Sequence, residues 1–570
     1  TTEHGWSVVS WAFELPAEVQ RIGKNTLRLV SRYALSAKDI GRGGEEADER
    51  RIAFGLHALA ITPSAAPEAA PLAFTDGAVV QQHGTIWRVP FALPHEDGVY
   101  LHTDVEGQGA SMRFRTDTLL GPRKQPLKQS WLSRGINLEA HAGSIGEIIF
   151  DATKATAPVR WEAPRIVPGF FVSPPDDAPR VMDEMRAERV VLICLDAMTS
   201  SAIEHFGAER PAAPFISQMA RQSLVSARAY TQATWTLPSV ATLLTGIHPP
   251  GHGVRQVGQR LPDSLPTLAE SVQAEGINTA CFAENLFFKP RYGFQRGFDA
   301  YACIEPEQAQ GGDRGTPQVT QRGIEFMQQH HDDRFLLYLH YFPPHAPYHT
   351  GNPYAYRMTH DIHREIAPDD TAMHEAEIGR APMSREGTRH LRARYLENVR
   401  SVDDHVRQLF ETMRTLDFGP ETIIIVFSDH GESFGEHGFL GHSDVPHEPQ
   451  VQVPFFVWRG PSHDGGGREA TRPVRIVDIA PTVLDLFGIE RTFEMHGANL
   501  MQPAFHHNER LWNFAQSQSH VPVEAFWWGD YKLIEDPAGA RVELYDLARD
   551  PEETANLVPH RPVLLNFMRA

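Results

Sequence analysis

Two hydrophobic patterns divide the chain. From about residue 181 onward, short runs of aliphatic and β-branched residues alternate with longer stretches of helical period. Residues 189–195, 278–283, 335–341 and 421–427 are near-continuous apolar runs. Side chains alternate between the two faces of a strand, so a run with almost no polar positions has both faces covered. These runs therefore predict central parallel strands. Residues 212–224, 238–246, 317–331 and 389–416 predict helices, the last long and amphipathic. The alternation predicts a doubly wound, mostly parallel α/β domain over residues 188–570, with a small α+β subdomain at 510–570.

Residues 1–165 lack this rhythm. Segments such as 86–93, 98–105, 111–116 and 146–152 are short, strand-like and separated by Gly, Pro and Asp. That punctuation predicts an N-terminal β-sandwich, interrupted by one short helix near 46–60. Packing and glycan binding are both open roles for it. Proline is dense between residues 163 and 180, and 166–187 is expected to be a linker.

With 570 residues, two or three folding units are expected. No apolar run reaches the ~18 residues that a membrane helix needs. A net charge of −19 argues against nucleic acid or an anionic membrane as partner. It leaves room for a small phosphorylated or glycan-linked substrate, because local cations can overrule the global field. Cys194, Cys281 and Cys303 form neither a disulfide framework nor a metal-binding spacing. Seven of the 29 histidines fall within residues 329–363, including His340, His345, His349, His360 and His363. The sequence starts at Thr1 with no visible signal peptide, so the compartment stays open between cytoplasmic and periplasmic or secreted. Oligomeric state is not written in it.

The candidate chemistry sits at strand ends. The run 189–195 delivers Asp196, and the run 421–427 leads to Asp429 and His430 at the head of a Gly- and His-rich loop. Open α/β sheets present ligands at the carboxyl ends of their strands. A buried carboxylate there is costly unless it meets a cation or several hydrogen bonds. For Asp196 alone, a helix N-cap is the better account. Thr236 precedes the run 238–246, with Pro238 in the position of a first-turn proline. Its hydroxyl would stand at the positive end of a helix, where an anion is favoured and a neighbouring metal would activate it.

Taken in order, Asp196, Thr236-Leu-Pro-Ser-Val, PPHAPY at 343–348, SDHGE at 428–432, GHS at 441–443 and VDIAPTVLDLFG at 477–488 resemble the alkaline phosphatase superfamily, on its sulfatase-like branch. The resemblance implies an attacking residue at Thr236 and one divalent metal (Mn, Zn, Mg or Ca) on Asp196, Asp429, His430 and Thr236. A second, weaker ion on His345 and His442 is possible under it. The same resemblance implies that His345 and His442 contact the transferred group or assist the leaving group. Asn285 is a further substrate-binding candidate, and Trp235, beside Thr236, reads equally as a pocket wall or a core residue.

The departures narrow the reaction. Sulfatases oxidise Cys or Ser in a Cys/Ser-x-Pro-x-Arg motif to formylglycine. Here the first place is Thr236 and the last is Val240, and a β-methyl blocks that aldehyde. The expectation is therefore a phosphoester hydrolase or transferase acting through phospho-threonine on a phosphodiester, phosphonate or phosphate monoester, with a sulfatase lacking formylglycine as the alternative. From other classes come a serine esterase using Ser433, formally in a Gly-x-Ser-x-Gly pattern, and a glycan-binding protein. Residues 359–377 read equally as a lid or a surface insertion.

Overall fold

The computed structural model describes residues 186–569 except 209, 306–314, 349–383, 461–466, 471–472, 502–512 and 519–521, together with strands between Ala73 and Pro168 and the isolated residue Lys154. The expected helix near 46–60 and the segment 359–377 lie outside the described residues, as do His349, His360 and His363. The chain forms two units, one of Thr1–Ser173 with Leu557–Ala570, the other of Pro174–Asn556.

In the first unit, the described strands join into three antiparallel sheets, two of four strands and one of three. The helix Pro562–Arg569 packs on the strands Ile86–Ala92 and Ile145–Asp151. The sequence placed that segment in the C-terminal lobe. Its contacts assign it to the N-terminal unit instead, because its apolar residues Val563, Leu564 and Met568 are buried there.

The second unit is built on an eight-stranded sheet. Its strands are β1 (Arg189–Leu195), β2 (Leu224–Ser226), β3 (Asn278–Ala283), β4 (Ala300–Cys303), β5 (Phe335–Tyr341), β6 (Thr422–Phe427), β7 (Phe455–Arg459) and β8 (Arg468–Glu469). They lie in the order β4-β3-β5-β1-β6-β7-β2-β8. The first five are mutually parallel, and β7 runs against β6 and β2. The alternation along β1 divides the core in two. Val190, Leu192 and Cys194 enter one layer, and Val191, Ile193 and Leu195 enter the other.

Helices cover both faces, as the doubly wound expectation requires. The first layer receives α2 (Thr236–Thr245), α3 (Leu268–Ala274) and α6 (Ile479–Phe487). The second receives α1 (Pro214–Arg221), α4 (Thr316–Gln329) and the long α5 (Arg385–Thr415). Helix α5 starts at Ser384, whose Oγ accepts from Gly387 N at 3.0 Å. It then sets Tyr395, Val399, Val402, Val406, Leu409 and Met413 into the core at helical spacing. Burying each such side chain is worth roughly 1.5–3 kcal/mol. A four-stranded antiparallel sheet, β9 (Asn513–Gln516), β10 (Glu524–Trp528), β11 (Tyr531–Glu535) and β12 (Val542–Asp546), follows in the same unit. Among the described residues, no helix is long and apolar enough to cross a membrane.

Candidate metal centre and active site

Three adjacent parallel strands, β5, β1 and β6, end side by side, and the site forms at their carboxyl ends. Asp196 follows β1 directly, with its N–H on Tyr341 O at 3.0 Å. Ala197 then takes the left-handed conformation (φ 59°), which turns the chain sharply after the aspartate. From β6 the chain passes through Ser428, whose hydroxyl bonds Leu195 O and His430 O at 2.6 Å each and accepts from Met198 N at 2.9 Å. That one hydroxyl locks the two strand ends together. Gly431 follows because a Cβ there would stand 2.1 Å from Pro449 O.

The donor atoms of Asp196, Asp429 and His430 all lie within 4.8 Å of one another. His430 gives its Nδ1–H to Gly431 O at 3.0 Å, which turns Nε2 toward Asp196 Oδ1 at 3.2 Å and Thr236 Oγ1 at 3.3 Å. Thr236 is the first residue of α2, immediately after the extended Trp235, rather than just ahead of the helix. Among the described residues, Asp429 Oδ2 has no hydrogen-bond partner and Asp196 Oδ1 meets only His430 Nε2, at 3.2 Å, although both residues are buried. Two buried carboxylate oxygens, an imidazole nitrogen and a hydroxyl are a fitting donor set for a divalent cation. Without one, buried like charges are costly to hold.

The electrostatics respond to that crowding. Burial alone would raise Asp196, but the imidazoles of His345, His340 and His430 hold it well below the usual carboxylate range. Asp429 is pushed up, first by burial and then by the Asp196 charge. Burial would lower His430, yet Asp429 and the bond to Asp196 carry it up to about 9.

His345 and His442 stand beside this cluster. Their rings are 4.6 Å apart, and they lie 5.9 and 4.3 Å from the His430 ring. Burial brings His345 down to about 4, so it is neutral at physiological pH. Its Nδ1 faces Ala346 O. His442 Nδ1 meets Glu432 Oε1 at 2.8 Å, and Tyr348 OH donates to Glu432 Oε2 at 3.0 Å. Burial would raise Glu432, but His442 outweighs it and holds the carboxyl below its usual range.

The structure thus brings Asp196, Thr236, Asp429, His430, His345 and His442 together. Asn285 joins them with both ends of its amide engaged: Nδ2 donates to Asp196 Oδ2 at 2.7 Å, and Oδ1 accepts from Phe287 N at 2.9 Å. Trp235 is a member of the core layer, 2% exposed and packed on Phe287. Ser433 lies in a two-residue strand paired with Leu440–Gly441, and its Oγ accepts from Gln450 Nε2 at 3.1 Å. The strand–turn–helix setting of a nucleophile elbow is absent there. Sequence reasoning assigned no role to Glu432 or His340. A carboxylate inside the SDHGE run and a histidine at the end of an apolar strand were the available signals, the same kind that marked Asp196.

A doubly wound, mostly parallel α/β domain with a carboxylate–imidazole cluster at its strand ends is the class these features define. A family model described as Sulfatase matches residues 188–489, and the chain belongs to the sulfatase family, within the alkaline phosphatase-like superfamily. A second, described as N-sulphoglucosamine sulphohydrolase, C-terminal, matches residues 435–564. The Delta 4,5-hexuronate-2-O-sulfatase of Bacteroides thetaiotaomicron is 22% identical over 64% of this chain and 84% of its own length. A putative extracellular sulfatase Sulf-1 homolog of Caenorhabditis elegans is 28% identical over 46% of this chain, and the match spans 42% of that protein. Among solved structures, a 2-O GAG sulfatase aligns at 19% identity with a TM-score of 0.56, covering 67% of this chain and 90% of that one. The phosphonate monoester hydrolase of Agrobacterium radiobacter aligns at 18% identity with a TM-score of 0.55, covering 67% and 94%. Both likenesses concern the fold.

Proposed function

We propose that this sulfatase-family hydrolase cleaves phosphoesters (phosphodiester, phosphonate or phosphate monoester, carried on a small molecule or a glycan) through a covalent phospho-threonine intermediate. The observation that carries the reading is a threonine, Thr236, at the helix start beside the cluster, with Oγ1 3.3 Å from His430 Nε2. A threonine cannot yield formylglycine, since its β-carbon carries a methyl group. Its hydroxyl can attack phosphorus directly.

Asp196, Asp429 and His430 would hold a divalent cation, with Thr236 Oγ1 completing the donor set. Bound there, the cation lowers the pKa of the hydroxyl and neutralises charge on the transferred group. Thr236 attacks in line, and the phosphoryl oxygens rest on the free N–H groups that open α2. His442, oriented by Glu432, gives a proton to the departing alkoxide and then takes one from the incoming water or acceptor alcohol, whose attack on phosphorus breaks the bond to Thr236 Oγ1 and frees that oxygen. His345 packs against both His430 and His442 and closes that side of the pocket.

A rate comparison tests this, using an aryl phosphate monoester, a phosphodiester, a phosphonate monoester and an aryl sulfate with several divalent metals. Phosphorus esters should dominate, Thr236→Ala should abolish turnover with the fold intact, and rapid acid quench should trap phosphorus on Thr236. Undiminished turnover in Thr236→Ala would refute the nucleophile assignment. The second reading, a sulfatase without formylglycine, draws support from the names of the curated relatives, and dominant sulfate turnover would establish it.

A further inference from the structure

We propose that His340 is a positioning residue for Asp196: its imidazole, backed by Tyr338, engages Oδ2 and leaves Oδ1 as the single oxygen that Asp196 presents to a divalent cation. The inference rests on the reading that Asp196, Asp429 and His430 hold such a cation. It concerns a histidine that the proposed chemistry does not otherwise use.

The argument begins with register. β5 and β1 run in parallel with His340 opposite Cys194, so His340 stands at the last turn of the pleat before Asp196. Its Nε2 lies 3.0 Å from Asp196 Oδ2, and both side chains are wholly buried. An ionised carboxylate only accepts, so the hydrogen in this bond sits on Nε2. Tyr338 OH lies 3.0 Å from the other ring nitrogen, Nδ1, and braces the imidazole from behind. Phe288 packs on the imidazole at 4.7 Å between ring centroids. The ring therefore has little freedom to rotate.

Asn285 supplies a second donor to the same oxygen at 2.7 Å. One oxygen of Asp196 is thus engaged twice, while the other faces His430 Nε2 at 3.2 Å on the cluster side. An asymmetric carboxylate of this kind cannot swing about its terminal torsion to chelate through both oxygens. Outer partners of this sort orient the ligand and raise metal affinity, commonly by about 10–100-fold. Among the described residues, Asp429 Oδ1 accepts the backbone N–H groups of Ala197 and His430, at 3.4 and 3.1 Å, rather than side-chain donors.

Chelator competition with Mn²⁺ on the purified chain, with stoichiometry read by elemental analysis, tests this against a merely structural role. His340→Ala should weaken Mn²⁺ affinity by about 10–100-fold while the folded protein still binds the same number of ions. His340→Gln, whose amide can reach Oδ2, should recover most of the affinity. Tyr338→Phe should weaken binding on its own and add nothing in the His340→Ala background, the non-additivity expected of a relay. Unchanged affinity in folded His340→Ala, alongside a wild-type chain that binds Mn²⁺, overturns the inference alone. One ion fewer in His340→Gln also overturns it, by making His340 a direct ligand. A wild-type chain that binds no divalent cation overturns both this inference and the reading beneath it.

Discussion

Chelated protein should lose stability as the pH rises from about 6.5 to about 9, the window framed by the ordinary and the raised histidine values, and a divalent cation should reverse the trend. Burial would lower the His430 pKa, but the Asp429 charge and the bond to Asp196 raise it from 6.5 to about 9. A raised histidine stabilises the folded state fully below its unfolded value and loses that contribution as the pH climbs through its folded value. At 1.36 kcal/mol per unit, the loss amounts to roughly 3 kcal/mol, because the group is wholly buried and little screened. For a unit of this size that is on the order of 5 °C in Tm. The proton belongs to the Asp196–Asp429–His430 cluster as a whole, and its count matters more than its address. A cation entering the same space must expel it, so apparent affinity should fall about tenfold for each pH unit below 9, reaching roughly 100-fold at pH 7. Isothermal titration calorimetry in two buffers of different ionisation enthalpy measures the release directly. About one proton should leave per ion bound at pH 7. No released proton, together with a flat Tm in chelator across the window, would refute the reasoning.

Other perturbations separate the parts of the site and of the fold. Asp429→Asn should reduce cation content after dialysis by more than the ~10–100-fold expected for an outer partner; unchanged content by elemental analysis removes Asp429 from the cluster. Glu432→Gln loosens His442 without touching the nucleophile. It should lower kcat by up to the ~10²–10⁴-fold that a proton-transfer group contributes, with KM little changed in steady-state assays. An unaltered kcat would detach Glu432 from catalysis. Away from the site, Lys532 is buried against Glu448 at 2.9 Å and Glu553 at 2.6 Å, with its ammonium 4.7 Å from the Trp527 ring centroid. Lys532→Met strands two buried carboxylates and should cost about 3–5 kcal/mol in urea denaturation. A loss below about 1 kcal/mol, the size of an exposed pair, would mean that the carboxylates find protons or water instead.

The central strands were legible because their patterns were unambiguous. Residues 189–195, 278–283 and 335–341 read as strands from their apolar runs, and β1, β3 and β5 occupy those bounds. Helix α5 begins four residues earlier than its apolar period suggested, because Ser384 caps a polar first turn that carries no hydrophobic signal. The cluster of Asp196, Thr236, Asp429 and His430 was readable from strand ends and a helix start. Its supporting bonds were not. His340 reaches Asp196 only through the parallel register of β5 on β1, and Tyr348 reaches Glu432 across 84 positions of sequence. Pairings of that kind arise from topology, and no local spacing encodes them. The same holds for Asn285, whose position near the site was expected but whose two amide bonds to Asp196 and Phe287 were not.

The helix Pro562–Arg569 sets a timetable for folding on the ribosome. Its partner strands, Ile86–Ala92 and Ile145–Asp151, leave the exit tunnel roughly 400 residues before it does, a wait of about 20–80 s at ordinary elongation speeds. During that interval the groove it fills stands open while the whole α/β unit is being made. Nascent chains at that stage are natural clients for a chaperone, and an isolated fragment ending near residue 173 should be prone to aggregation until the missing helix is supplied in trans.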